Sequence, residues 1–160
     1  MNEAELRKQL IALLGGGNAH ANFDDVVKNF PPKLRSVVPE GLPYSAWQLL
    51  EHLRIAQEDI LRFSTNYNGK YKSPKWPEGY WPKQAKPPAG DAWNISVKKI
   101  RVDLKTFKQL IQDKNSDLFT PFACGDGQNL LREALLIADH NAYHLGEMLV
   151  LRRLLGAWKK

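Results

Sequence analysis

At 160 residues, 43% apolar and 25% charged, the chain has enough material for a single globular domain, 1–160, with one hydrophobic core. No run approaches the eighteen or so apolar residues of a membrane span, the start Met1-Asn2-Glu3-Ala4-Glu5 is too acidic for a signal peptide, and Cys124 as sole cysteine excludes an internal disulfide and the cysteine-rich zinc patterns, so a cytoplasmic protein is expected. A net charge of +6 raises nucleic acid as a partner, yet the basic residues are dispersed over Lys70–Lys86, Lys98–Lys108 and Arg152, Arg153, Lys159 and Lys160 with no nucleic-acid motif beside them, and solvated faces account for them better.

The pattern predicts a first helix over residues 2–14, with Leu6, Leu10, Leu13 and Leu14 at helical spacing and Gly15-Gly16-Gly17 ending it. A second helical piece is expected from about Asn18 to Phe30, carrying Phe23, Val26, Val27 and Phe30, stopped by Pro31-Pro32. His20 at its start is expected to be an exposed or capping residue. The next helix has the best-marked start: Ser45 and Gln48 match a capping box, with Tyr44 and Leu49 placed as a hydrophobic staple. It should run through Leu49, Leu53, Ala56, Ile60 and Phe63, with His52 on the shoulder of the stripe and Asp59 returning to the same side seven residues on. Residues 70–90, with Trp76, Tyr80 and Trp81 among prolines, suit neither helix nor simple disorder. They read as an ordered crossover, either a lid over a pocket or a packing flap.

A further helix begins near Asp91 or Asn94, with Val97, Ile100, Leu104, Phe107 and Ile111 stepping by three and four. After a loop through Pro121–Gly127, Asn129 is placed to cap a last helix running from about Leu130 to Leu155 and ending at Gly156. The four main helices and the absence of convincing strands give an all-α four-helix bundle, with a long aromatic and proline-rich crossover between the second and third main helices.

The last helix carries the stretch Asp139-His140-Asn141-Ala142-Tyr143-His144-Leu145-Gly146-Glu147. Its histidines are four apart and share a face with Ile137, Met148 and Leu151, so both point toward a core, where neutral imidazoles need partners for their ring nitrogens. A metal ion supplies them, and so does a set of independent hydrogen bonds. The zinc-protease signature is absent, because Asn141 follows the first histidine where that motif needs glutamate. His52 from another helix would complete a three-nitrogen site with an open fourth position, the arrangement of catalytic zinc.

Taken together, Pro43-Tyr44-Ser45-Ala46-Trp47-Gln48-Leu49-Leu50-Glu51-His52, Arg132-Glu133, the stretch 139–146 and Arg152–Trp158 resemble the DinB/YfiT-like family of bacterial metalloenzymes over nearly the whole chain. The resemblance implies an up-down-down-up bundle, often a homodimer. It also implies a divalent metal, commonly zinc or nickel, on three histidines that match His52, His140 and His144 here. Family members with an assigned activity include thiol-dependent S-transferases and a thiol-dependent isomerase; DNA binding is not implied. A cation with an open position lowers the pKa of water or of a low-molecular-weight thiol, which points to a hydrolase or an S-transferase acting on a small-molecule substrate. Glu147, one turn beyond His144, is the candidate catalytic residue, as a base or as a group orienting a ligand; Glu133 and Asp59 come second. The competing function is a non-catalytic metal- or ligand-binding protein. By themselves three imidazoles suit zinc, nickel, copper or iron.

Overall fold

A helix begins stably where a side chain takes up its first free backbone N–H groups, and four such starts organise this chain. In a computed structural model describing residues 2–158, the helices are α1 (Glu3–Gly15), α2 (Phe23–Val27), α3 (Ala46–Ser64), α4 (Ala92–Gln112) and α5 (Leu130–Leu154), with 3-10 turns at Pro32–Leu34 and Glu78–Tyr80. Among the described residues there is no strand; Met1, Lys159 and Lys160, named above in the acidic start and the basic end, lie outside them. Asn2, Asn22, Ser45 and Asn129 each accept a hydrogen bond from a backbone N–H in the first turn of α1, α2, α3 and α5. At α3 the expected capping box is complete, with Gln48 N–H on Ser45 Oγ at 3.2 Å and Ser45 N–H on Gln48 Oε1 at 3.1 Å. Gly16 ends α1 at φ +67°, a left-handed conformation that a side chain would resist.

The second helical piece is shorter than the sequence pattern predicts. Asn22 and Asp25 form their own capping box, which fixes the start at Phe23, and Lys28 turns extended at ψ 129°. Between Asn18 and Asn22 there is no helix, yet Val26 and Phe30 are buried as the stripe requires.

α3 packs against α4 and α5, α1 packs against the same two helices, and α2 rests on α5. Side-chain bonds fix the registers: Ser96 of α4 donates to Glu51 of α3, and Gln57 Nε2 donates to the Ile100 carbonyl at 2.7 Å. The core falls into two apolar clusters. One gathers Val26, Phe30, Trp47, Leu50, Trp93 and Met148, the other Leu10, Ile60, Phe107, Ile111, Leu118 and Ile137. Gln57 on α3 and His140, Asn141 and His144 on α5 lie between residues of the two clusters, with His52 set beside Leu50 and Leu53 of the first. A polar layer in a core is stable only when its groups are satisfied, and here Asn141 donates to Gln57 Oε1 at 3.0 Å.

Two arginines close the ends of this frame from inside. Arg7 donates to the carbonyls of Ile111 in the last turn of α4 and of Asp113 and Ser116 just past it. Arg152, which the charge pattern assigns to a solvated face, is buried: its guanidinium donates to the carbonyls of Val26, Lys28 and Ala157 and lies over the Phe30 and Trp158 rings. Orphan carbonyls at chain turns need donors, and a guanidinium supplies several from one side chain.

The segment between α3 and α4 is ordered against α3. Ser45 Oγ–H donates to the Ala85 carbonyl at 2.7 Å and Gln48 Nε2 to the Pro82 carbonyl at 3.1 Å, so the residues that cap α3 also hold the crossover. Replacing Ser45 with alanine removes the cap and this anchor together. Chemical denaturation of Ser45→Ala should show a loss of about 1–2 kcal/mol; an unchanged midpoint would contradict the dual role.

Candidate metal centre

His52 lies in the second turn of α3, and α5 presents His140 and His144 one turn apart on the side facing it. His52 Nε2 is 3.0 Å from His144 Nε2 and 3.1 Å from His140 Nε2, and ligand atoms of all three residues lie within 4.8 Å of one another. His52 and His144 are 2% and 7% exposed, and His140 is half-buried. The three histidines singled out in the sequence come together, and they could hold a metal ion.

Proton bookkeeping at the ring nitrogens sharpens this. His52 Nδ1 is 3.0 Å from the Tyr80 carbonyl, which can only accept, so Nδ1 carries the proton. His144 Nδ1 is 2.5 Å from Glu147 Oε2, again an acceptor when ionised, so it too carries the proton. A neutral imidazole has one N–H. In the form where both rings are neutral, the Nε2 atoms of His52 and His144 therefore face each other at 3.0 Å with lone pairs and no hydrogen between them. That arrangement lacks a positive centre, and either a proton or a cation would supply it. Burial lowers the pKa of His52, and burial with the neighbouring His144 and His52 takes that of His140 down to about 4, so both are neutral near pH 7.

A divalent cation fits the donor set. With Zn–N bonds of about 2.0–2.1 Å, the edge of a tetrahedral nitrogen set is about 3.3–3.4 Å, within a few tenths of the 3.0 and 3.1 Å separations found here. Ligating histidines characteristically donate their second N–H to a carbonyl or a carboxylate, and His52 and His144 do one each.

The walls are aromatic. Trp81 stacks on His52 with centroids 3.9 Å apart and planes 5° from parallel, and Tyr44 stacks on Trp81 at 5.3 Å. Tyr143 sets its ring edge-on to His144 at 4.9 Å and is largely exposed. The Tyr44 phenol is pushed up by burial and by Glu147, and that of Tyr143 by Glu147, so both hydroxyls stay protonated facing its carboxylate.

The other sequence candidates take different places. Glu133 is buried and paired with Arg132 at 2.6 Å, its pKa raised by burial. Asp59 accepts from the Tyr71 and Tyr80 hydroxyls. His20 is exposed with its ring on the neighbouring Ala21 carbonyl, as expected, and Cys124 is exposed outside the cluster. Sequence reasoning missed Tyr80 as the acceptor for His52 and Trp81 as its cover. The only signal for either was the density of aromatic rings in the crossover. Compared with protein-family models, with curated proteins and with solved structures, the chain matches none.

The depressed histidines give metal-free protein a defined pH response. His140 takes a proton near its ordinary 6.5 when unfolded but only near about 4 when folded, so its stabilisation is full above pH 6.5 and is lost as pH falls toward 4. His52 acts in the same direction. Denaturation of chelator-treated protein should therefore show lower stability at pH 5 than at pH 7, with a smaller difference in His140→Ala. Equal pH dependence in the two proteins would contradict this.

Proposed function

We propose that the chain is a metal-dependent enzyme of the DinB/YfiT-like type. It would hold one divalent ion, zinc or nickel, on His52, His140 and His144 and act on a small molecule. The observation that carries the reading is the meeting of buried Nε2 lone pairs, two of them on rings whose Nδ1 protons are committed to Tyr80 and Glu147. A bound divalent ion would supply Lewis acidity, making water or a low-molecular-weight thiol a nucleophile near neutral pH. The reaction classes are thiol-dependent S-transfer and hydrolysis.

The residues divide the work. His52, His140 and His144 present the donor nitrogens, and burial keeps protons from competing for those of His52 and His140. Glu147 holds the Nδ1 proton of His144 and so fixes which nitrogen faces the centre. Its carboxylate is 23% exposed, which supports its assignment as the general base that would take a proton from a reactant. Tyr44 and Trp81 cover the His52 side and limit water there.

The fold reading is a four-helix bundle of α1, α3, α4 and α5 in up-down-down-up order. Three registers support it. Glu51 meets Ser96 and Gln57 meets Ile100, so α3 and α4 advance together; Arg7 meets Ile111, so the start of α1 lies at the end of α4; His52 meets His144 while Gln57 meets Asn141, so α3 and α5 run oppositely. A homodimer in the cytoplasm completes the proposal. Leu135, Val150 and Leu154 exposed along α5 support the pairing, and the lone free Cys124 suits a reducing compartment. No helix among the described residues is long and apolar enough to cross a membrane.

Elemental analysis after reconstitution with zinc or nickel should find about one ion per chain, lost in His52→Ala, His140→Ala and His144→Ala. Loaded protein should turn over in a panel pairing low-molecular-weight thiols with electrophiles, or in one of esters and amides, with Glu147→Gln slower by about 10–100-fold. Protein that takes up no metal would overturn the reading. Metal without turnover in either panel would leave a non-catalytic metal-binding protein.

A further inference from the structure

Residue 80 is gripped twice by the same helix. Its carbonyl accepts the Nδ1 proton of His52 at 3.0 Å, and its hydroxyl donates to Asp59 Oδ2 at 2.6 Å. His52 and Asp59 are seven residues apart on α3, two turns along one face, so Tyr80 spans them like a bracket. The adjoining Trp81 lies flat on the His52 ring. The other oxygen of Asp59 accepts from Tyr71 at 2.9 Å; Tyr71 also belongs to the crossover and makes no hydrogen bond to a histidine.

We propose that Asp59 and Tyr80 form a positioning pair that sets the His52 tautomer, Asp59 holding Tyr80 so that its carbonyl keeps the proton on Nδ1 and leaves the Nε2 lone pair free. The crossover is on this account a fixed wall of the centre, where the sequence left open a lid or a packing flap. The physical reason is the partition of one proton between two nitrogens. A carbonyl acceptor held at Nδ1 favours the Nδ1–H form. If it drifts, the Nε2–H form, in which Nε2 cannot act as a ligand, gains population. A phenol on a carboxylate is a charge-assisted bond, stronger than a neutral pair and suited to fixing one residue of an irregular segment.

The consequence for metal affinity rests on the function proposed above; the tautomer itself does not, and the experiment separates them. Long-range proton–nitrogen NMR of the metal-free full chain at pH 7.5 reads the tautomer, and Zn2+ titration against a competing chelator reads the affinity. Wild type should show His52 protonated on Nδ1. Tyr80→Phe, and Asp59→Asn as a second route should Tyr80→Phe fold poorly, should transfer part of that population to Nε2–H. Each should weaken Zn2+ binding by about tenfold, the lower end of the range for partners of metal ligands. Tyr71→Phe removes a like bond to the same carboxylate and should change neither. His52 protonated on Nε2 in wild type, or Tyr80→Phe matching Tyr71→Phe in both readouts, would overturn the pairing. A correct tautomer response with no Zn2+ binding in wild type would leave the positioning in place and remove the metal.

Discussion

A neutral imidazole carries one proton and one free lone pair, and committing the proton on one side fixes what the other side can do. In this protein the commitment is made twice, by the Tyr80 carbonyl at His52 and by the Glu147 carboxylate at His144. Two lone pairs are thereby aimed at one point, with His140 beside them. The rest of the structure can be seen as what holds that arrangement together. Two apolar clusters clamp α3 against α5 above and below the histidines, and the capping residues of α3 bring the crossover down onto His52.

A polar layer inside a core is expensive when its groups are unpaired. Most of this layer is paired: Gln57 with Ile100 and Asn141, Ser96 with Glu51, the outer nitrogens of His52 and His144 with their acceptors. The facing Nε2 atoms are the place where pairing fails in neutral protein. A ligand that binds the folded state alone stabilises it by mass action, so a cation taken up there would strengthen the joint between α3 and α5. Burial that depresses His52 and His140 removes the proton as an easy substitute.

Much of this was legible in the residues because it follows local rules. The Ser45/Gln48 capping box, the stripe from Val97 to Ile111 and the four-residue step from His140 to His144 are statements about helical geometry, and helices obey them regardless of their neighbours. The short α2 was also written locally, in Asn22 and Asp25, but the longer apolar stripe masked it. What periodicity cannot convey is the path of an irregular segment. Tyr80 and Trp81 act through one carbonyl and one ring face, and neither leaves a repeating pattern. Arg7 and Arg152 were hidden for a related reason: their partners are main-chain carbonyls, which every residue has. The role of Glu147 needed coordinates as well. Spacing put it near His144, but only the 2.5 Å contact at Nδ1 assigns the proton.

The central claim, that three imidazole nitrogens converge on one divalent ion, is tested most directly by X-ray absorption at the metal edge of the loaded protein. The account predicts about three nitrogen scatterers at about 2.0–2.1 Å with the multiple-scattering signature of imidazole rings, for zinc. A shell of oxygen alone, with no imidazole signature, would contradict it.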